Sequence, residues 1–143
     1  MIKFIFFLSL TVTPLLAQDI LPLRDRANLI DQIQNERIKK LLPKLMEEQD
    51  IDVWVMITRE YNEDPIVKTL LPPTWLNARR RTILVFSKTK IGIDPVAITR
   101  YNFGENIRSI WNKEEQPSQW EALSNYIVSQ NPQKIGINTS KYY

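Results

Sequence analysis

The sequence IDVWVMI at residues 51–57 decides the fold class, because it predicts a β-strand in the interior of a sheet. The stretch is too short and too rich in β-branched residues for a helix, and its almost continuous apolar character is typical of a strand buried on both faces. The same character recurs in RTILVF at residues 81–86 and PVAIT at residues 95–99, and in a shorter form in KIGIN at residues 134–138. The chain therefore offers four predicted strands.

Two segments carry apolar residues at the spacing of an amphipathic helix. The first runs from Asp25 to Gln49. Pro43 lies within it and removes a backbone donor, so we expect a kink or a break near residues 39–42. The second segment begins after Ser118, which together with Glu121 forms the pattern of a capping box. We expect its buried face to consist of Trp120, Leu123 and Ile127.

The order of these elements predicts the class of fold. A helix is followed by a strand, a long loop, two strands, a second helix and a last strand. This order is typical of an α/β domain, and we expect a mixed, mostly parallel sheet flanked by helices. The last strand-helix-strand unit is predicted to be a right-handed parallel crossover. Residues 18–143 are expected to form this domain.

The composition excludes several classes of site. The 143 residues include no Cys and no His, so the chain has no disulfide, no thiolate nucleophile, no Ser-His pair and no zinc site with nitrogen or sulfur ligands. Its three glycines, Gly92, Gly104 and Gly136, are too far apart to form a phosphate-binding loop. A metal bound by oxygen ligands is the remaining inorganic possibility.

The amino terminus has the layout of a cleaved export signal. Lys3 precedes an uncharged apolar run from Phe4 to Leu16, and Ala17 precedes Gln18. We predict cleavage between Ala17 and Gln18 and a periplasmic or extracellular location. A membrane-spanning helix would need about 20 apolar residues, more than this run supplies, so no stable span is expected after cleavage.

The stretch from Thr58 to Arg80 is too long for a routine connection and follows the carboxyl end of a predicted strand, where α/β sheets tend to bind ligands. One interpretation is a polar recognition loop, or a cation site using the carboxylates of Glu60, Glu63 and Asp64. The other is a solvated turn whose charges pair locally. The candidate residues at its start are Arg59, Glu60, Tyr61, Asn62, Glu63 and Asp64.

Trp75 and the arginine run complete the set of candidate residues. Trp75 either covers the core or acts as an exposed anchor for a partner. Strand alternation predicts that Arg79 and Arg81 share one face while Arg80 points to the other. We expect these arginines to pair with the acidic loop. The chain's charge of +3, which falls to +2 when Lys3 is removed with the signal, argues against nucleic-acid binding.

Four strings in order along the chain resemble the amino-terminal domain of Xaa-Pro aminopeptidase-like proteins, of the creatinase/prolidase ("pita-bread") metallopeptidase family. They are NERI to LPKLM at residues 35–46, IDVW at 51–54, REYNEDP at 59–65 and LPPTWLNARRRT at 71–82. The resemblance covers nearly all of residues 20–140. It implies a creatinase/prolidase-type amino-terminal fold.

The resemblance also implies a function. The amino-terminal domain of this family is non-catalytic, and a separate catalytic domain holds two divalent metal ions with two Asp, one His and two Glu. Because this chain has no His, no metal ligand or catalytic residue carries over to it, and we expect it to be inactive alone and to contain no cofactor. The implied partners are the catalytic domain, neighbouring subunits in a homo-oligomer and a peptide substrate at the pocket edge, with residues 59–81 as the contact region.

Two further expectations concern the whole protein. The chain ends at Tyr142 and Tyr143 shortly after the last predicted strand, so we expect it to be a fragment of a longer protein. The alternative is a free-standing exported module that binds a peptide or a small molecule through Trp75, Tyr61 and the loop from Glu60 to Asp64.

Overall fold

Five strands form one mixed sheet in the computed structural model, in the order β4-β3-β2-β1-β5. Helices cover both faces of this sheet, so the α/β class is confirmed. In chain order the elements are α1 (Leu23–Glu36), a π-helical segment (Arg37–Leu41), α2 (Leu42–Glu48), β1 (Val53–Arg59), α3 (Pro65–Lys68), β2 (Arg81–Thr89), β3 (Gly92–Ile98), β4 (Arg108–Ser109), α4 (Gln119–Gln130) and β5 (Ile135–Ile137).

The structure describes residues 20–139. The predicted export signal at residues 1–17, its cleavage site at Ala17 and Gln18, and the terminal residues Tyr142 and Tyr143 lie outside this range. Within residues 20–139, every helix is either too short or too polar to cross a lipid bilayer. Export therefore stays a prediction.

The sheet is mixed rather than mostly parallel, so that part of the fold prediction is wrong. The two longest pairings, β1 with β2 and β2 with β3, are antiparallel, while the short pairings of β1 with β5 and of β3 with β4 are parallel. The reason lies in the connection between β2 and β3. Two residues, Lys90 and Ile91, join the paired residues Thr89 and Gly92, and a link of that length only permits a hairpin.

Pro43 changes the helical hydrogen bonding without ending the helix. Residues 37–41 form a π-helical segment in which the Leu42 amide donates to the carbonyl of Arg37, five residues earlier. Pro43 lies in the first turn of α2, directly after this segment. The helix is therefore not broken near residues 39–42 as expected. The wider π turn relieves the crowding that a proline ring causes within a regular helix.

Two hydrophobic clusters lie on opposite faces of the sheet. The first joins the π segment and α2 to strand residues such as Met56 and Phe86. The second joins α4 to strand residues such as Val85 and Ile98. Alternation along the strands explains the division, because successive side chains point to opposite faces.

The buried face of α4 differs from the one predicted. Leu123 is buried as expected, but the Trp120 side chain is 51% exposed, and Gln119 and Ala122 are buried instead. The Gln119 amide donates to the carbonyls of Arg81 and Ile98, at 3.1 and 2.6 Å, which fixes the start of α4 to the ends of β2 and β3. Ser118 caps the helix as predicted, and its hydroxyl accepts from the Glu121 amide at 3.2 Å.

Candidate functional site

The loop from Glu60 to Arg80 begins and ends at one position of the sheet, because Arg59 of β1 is paired with Arg81 of β2. Asp64 organises its first half. The Asp64 side chain is 1% exposed, and its Oδ1 accepts from the Ile66 amide at 2.7 Å to cap α3. Its Oδ2 accepts from the Asn138 amide group at 2.5 Å, which ties the loop to the chain after β5. The loop is therefore a built part of the fold.

Glu63 and Glu60 connect the two halves of the loop. Glu63 Oε1 accepts from the Ala78 amide at 2.7 Å, and Oε2 forms an ion pair with Lys68 at 2.9 Å. The hydrogen bond from Lys68 and the Ala78 amide hold the pKa of Glu63 below its usual value. The Glu60 amide donates to the Arg80 carbonyl at 2.8 Å, and Glu60 Oε2 accepts from the Arg80 amide at 3.4 Å.

The prediction that the arginine side chains pair with the acidic loop is therefore wrong, because the two segments are joined through backbone groups. The loop carboxylates bind backbone amides and Lys68, and no guanidinium of residues 79–81 lies within ion-pair distance of a carboxylate in the described part of the chain. A backbone amide in a tight loop is a donor that is already fixed, so no side-chain entropy is lost when it binds a carboxylate. A long arginine side chain would lose rotamer freedom in the same contact.

The acidic residues do not converge on a cation site. Asp64, Glu63 and Glu60 each accept hydrogen bonds from different backbone amides, as described above. Within residues 20–139, no three acidic side chains lie together in a way that would hold a metal ion. The local-pairing interpretation of this loop is the one that the geometry supports.

Trp75 lies in the core rather than on the surface, so its interpretation as an exposed anchor is wrong and core covering is confirmed. Its side chain is 6% exposed and meets the Phe103 ring edge-on, with the centroids 4.9 Å apart. The exposed aromatic residue of the loop is Tyr61, which is 92% exposed and has a φ of +68°.

The three arginines do not follow strand alternation. Arg80 has a φ of +54°, a left-handed conformation that interrupts the extended backbone before β2. As a result, Arg79 and Arg81 do not share a face as predicted. The Arg79 guanidinium stacks over Trp75, 4.9 Å from the ring centroid, whereas the Arg81 guanidinium stacks over Trp120 of α4 at 4.6 Å.

A row of arginines crosses this end of the sheet. Arg59 pairs with Arg81, and Arg100, which follows the end of β3 by two residues, lines the same small cavity as Arg81. Residues opposite each other on adjacent strands lie on the same face, with about 5 Å between their Cβ atoms. We call this set the arginine row: Arg59, Arg81 and Arg100.

Two adjoining cavities surround the arginine row and share Arg80 and Arg81. The larger is an open cleft of about 670 Å³, and the smaller has a volume of about 220 Å³. The cleft is lined by Ile57, Arg59, Glu60, Tyr61, Arg80, Arg81 and Trp120, and the smaller cavity by Arg79, Arg80, Arg81, Arg100, Trp111, Lys113 and Gln119. Most of the predicted site residues thus meet at one end of the sheet, but Glu63, Asp64 and Trp75 serve as its structural support.

Sequence reasoning missed Arg100, Lys113, Trp111 and Trp120 as site residues. The signal that points to Arg100 is the hairpin between β2 and β3. Once Gly92 is taken as the start of the returning strand, Arg100 falls beside Arg81. No local pattern indicates Lys113 or Trp111, which reach the cavity from the loop before α4.

No protein-family model, curated protein or solved structure matches the chain. Two of the four strings that carry the family resemblance line the same cleft. The string at residues 59–65 supplies one wall of the cleft, and the end of the string at residues 71–82 supplies the other. The family membership stays a prediction from these residues.

Proposed function

We propose that the chain is the non-catalytic amino-terminal domain of an exported Xaa-Pro aminopeptidase-like metallopeptidase, with the amino-terminal fold of the creatinase/prolidase family. In this proposal the domain contributes to assembly of a homo-oligomer and to the edge of the substrate pocket. Two divalent metal ions and the hydrolytic chemistry belong to a catalytic domain elsewhere in the parent protein.

The observation that carries the proposal is the contact between the two most specific strings. Residues of REYNEDP and of LPPTWLNARRRT are joined by the bonds from the Ala78 amide to Glu63 and from the Glu60 amide to the Arg80 carbonyl. Residues 15 and 20 positions apart are thus hydrogen-bonded to each other. This contact supports the proposal because the two strings form one structural unit, so their resemblance to the family is that of a folded segment and not of two separate short sequences.

Exposed apolar residues support a role in assembly. Leu76, in the loop, is 98% exposed, and it lines a groove with Ile30 and Ile33 of α1, which are 41% and 38% exposed. A contiguous exposed apolar patch with a polar border is typical of a surface that another domain or subunit covers. Arg37 and Lys68 supply polar borders of this groove.

The proposal is tested by separating the activity of this chain from that of its parent protein. The purified full chain is expected not to hydrolyse an Xaa-Pro peptide in the presence of manganese, cobalt or zinc ions. Material captured from the native source with an antibody against residues 18–143 is expected to hydrolyse the same peptide and to lose that activity with a chelator. Hydrolysis by the purified chain, after mass spectrometry has excluded a contaminating peptidase, would contradict the proposal.

The open cleft favours a second candidate function, a free-standing exported module that binds a peptide or a small molecule. Its aromatic contact is Trp120 with Tyr61, because Trp75 is buried. Under this alternative, a peptide ligand changes the tryptophan fluorescence of the chain, and the change is lost in Trp120→Ala but kept in Trp111→Phe. The native protein would then carry no catalytic domain.

A further inference from the structure

We infer that the arginine row and its two cavities form a binding site for a carboxylate-rich protein segment, one with several closely spaced Asp or Glu side chains. The inference deepens the proposed assembly role. It rests on the proposed function only for the origin of the segment. Under that function, the segment is an acidic surface of the catalytic domain or of a neighbouring subunit.

Uncompensated positive charge is concentrated around the two cavities. The arginine row is joined by Arg79, Arg80 and Lys113 around the two cavities, and Glu60 is the one acidic residue among those lining them. None of these six cationic groups is within ion-pair distance of a carboxylate among residues 20–139. Like charges directly opposite each other on neighbouring strands destabilise a sheet, and bound carboxylates would reverse that cost.

The guanidinium groups of Arg79 and Arg81 are held in place by aromatic rings. Arg81 is stacked on Trp120, and Arg79 lies between Trp75 and Tyr101, at 4.9 and 5.6 Å from the two ring centroids. Stacking fixes the plane of a guanidinium and leaves its edge free to donate two parallel hydrogen bonds to a carboxylate. Because these arginine side chains are already ordered in the free protein, less conformational entropy is lost when a carboxylate binds.

The backbone is strained at the same end of the sheet. Arg80 and Tyr61 both have positive φ values, +54° and +68°, and both line the cleft. Such conformations are unfavourable for a non-glycine residue and cluster at functional sites. The hydrogen bonds between Glu60 and Arg80 hold this conformation, which brings Arg80 to the boundary of both cavities.

The occupied aromatic faces favour carboxylates over a nucleic acid. Single-stranded nucleic acids bind by stacking bases on free aromatic rings along a basic groove. Here Arg81 lies over the Trp120 ring and the Trp75 ring is buried, so neither ring is free for base stacking. The Ile57 side chain, 41% exposed, gives the cleft floor an apolar contact that suits the stem of a Glu side chain.

The test measures binding of a fluorescently labelled hexaglutamate peptide to the purified full chain by anisotropy at low and at physiological ionic strength. Saturable binding that weakens with salt is expected. The double variant Arg81→Gln/Arg100→Gln should weaken binding by roughly tenfold or more, because it removes two guanidinium groups that form charge-assisted hydrogen bonds to carboxylates. Arg81→Lys, which keeps the charge but not the two-pronged edge, should lie between this variant and the wild type.

A matched control removes the same charge elsewhere. Lys39 of the π segment and Lys90 of the hairpin turn are exposed and line neither cavity, so Lys39→Gln/Lys90→Gln should keep the affinity within about twofold. Equal weakening in the control, or no saturable binding, would overturn the inference. Tighter binding of a single-stranded oligonucleotide would overturn the carboxylate assignment, and displacement by citrate at concentrations similar to those of hexaglutamate would overturn the assignment to a protein segment.

The result of the hexaglutamate test does not depend on whether the proposed function is correct. Hexaglutamate binding is measured on the chain itself and needs no catalytic domain. If the native protein proves to be short while the arginine row binds hexaglutamate, the proposed function fails and the carboxylate site stands. If the native protein is long and hexaglutamate does not bind, the reverse holds.

Discussion

The Arg81 guanidinium lies over the Trp120 ring, 4.6 Å from its centroid, and joins the first residue of β2 to the second residue of α4. Gln119, the neighbour of Trp120, holds the two elements at this distance through its bonds to the strand-end carbonyls. A tryptophan that a helical pattern directs to the core thus becomes one side of an open cleft. The relationship sets the geometry of the arginine row.

Replacing Trp120 with Ala should lower the free energy of unfolding by about 0.5–1 kcal/mol, because an exposed cation–π contact is lost while the core stays filled. Trp120→Phe keeps a ring beneath Arg81 and should recover most of the loss. Urea denaturation of the two variants and the wild type measures the difference. A loss of more than about 3 kcal/mol, the range of a deleted core aromatic, would show that Trp120 is a core residue after all.

Replacing Asp64 with Ala should cost about 2–3 kcal/mol of stability. The change removes the cap of α3 and leaves the Asn138 amide group without its carboxylate partner. Asp25→Ala, at an exposed position in the first turn of α1, is the matched control and should change the stability by less than about 0.5 kcal/mol. Thermal and urea unfolding provide the comparison, and equal effects of the two changes would refute the role of Asp64 in ordering the loop.

Gly104→Ala should destabilise the protein more than Gly92→Ala. Both glycines have positive φ values, +98° and +134°, so each change costs about 1–2 kcal/mol in backbone strain. A Cβ at Gly104 would also lie 2.9 Å from Cβ of Pro72, a rigid side chain, whereas one at Gly92 meets nothing within 4 Å. Overpacking should add about 1–3 kcal/mol at Gly104, and a difference near zero would mean that Pro72 can yield.

Glu63 should make the stability depend on pH on the acid side. Because its folded-state pKa is held below 4.5 by Lys68 and the Ala78 amide, its contribution is present above that pH and is lost as the pH falls towards the folded-state value. The variant Glu63→Gln should therefore show a shallower loss of stability below pH 4.5 than the wild type. Glu105→Gln, at an exposed position, should keep the wild-type slope. Parallel curves for Glu63→Gln and the wild type would refute the ion pair's contribution.

The strands that the sequence pattern finds are those buried on both faces. The apolar runs at residues 51–57 and 81–86 predict β1 and β2, although β2 extends to Thr89 with polar residues that periodicity does not mark. β4, with two exposed residues, is too short to leave a periodic signal. The antiparallel pairing of β2 with β3 was missed because the turn residues Lys90 and Ile91 are not the usual Asn-Gly or Asp-Gly pair.

The site was predictable only where it is local in sequence. Residues 59–64 and 79–81 flank two predicted strand ends, so their proximity follows from pairing of those strands. Arg100 comes from outside this loop and needs the register of β2 with β3 to place it, and Lys113 reaches the cavity from the loop before α4. Gln119 is buried in place of Trp120 because its amide donates to two strand-end carbonyls that need a donor. Helical periodicity does not indicate this tertiary contact.

The intact mass of the native protein, isolated from its own source with an antibody against residues 18–143, tests the central claim most directly. The proposal of a non-catalytic domain within a larger metallopeptidase predicts a species much heavier than 16.9 kDa that contains these residues. A species of 16.9 kDa, or one lighter by the mass of residues 1–17, would contradict it.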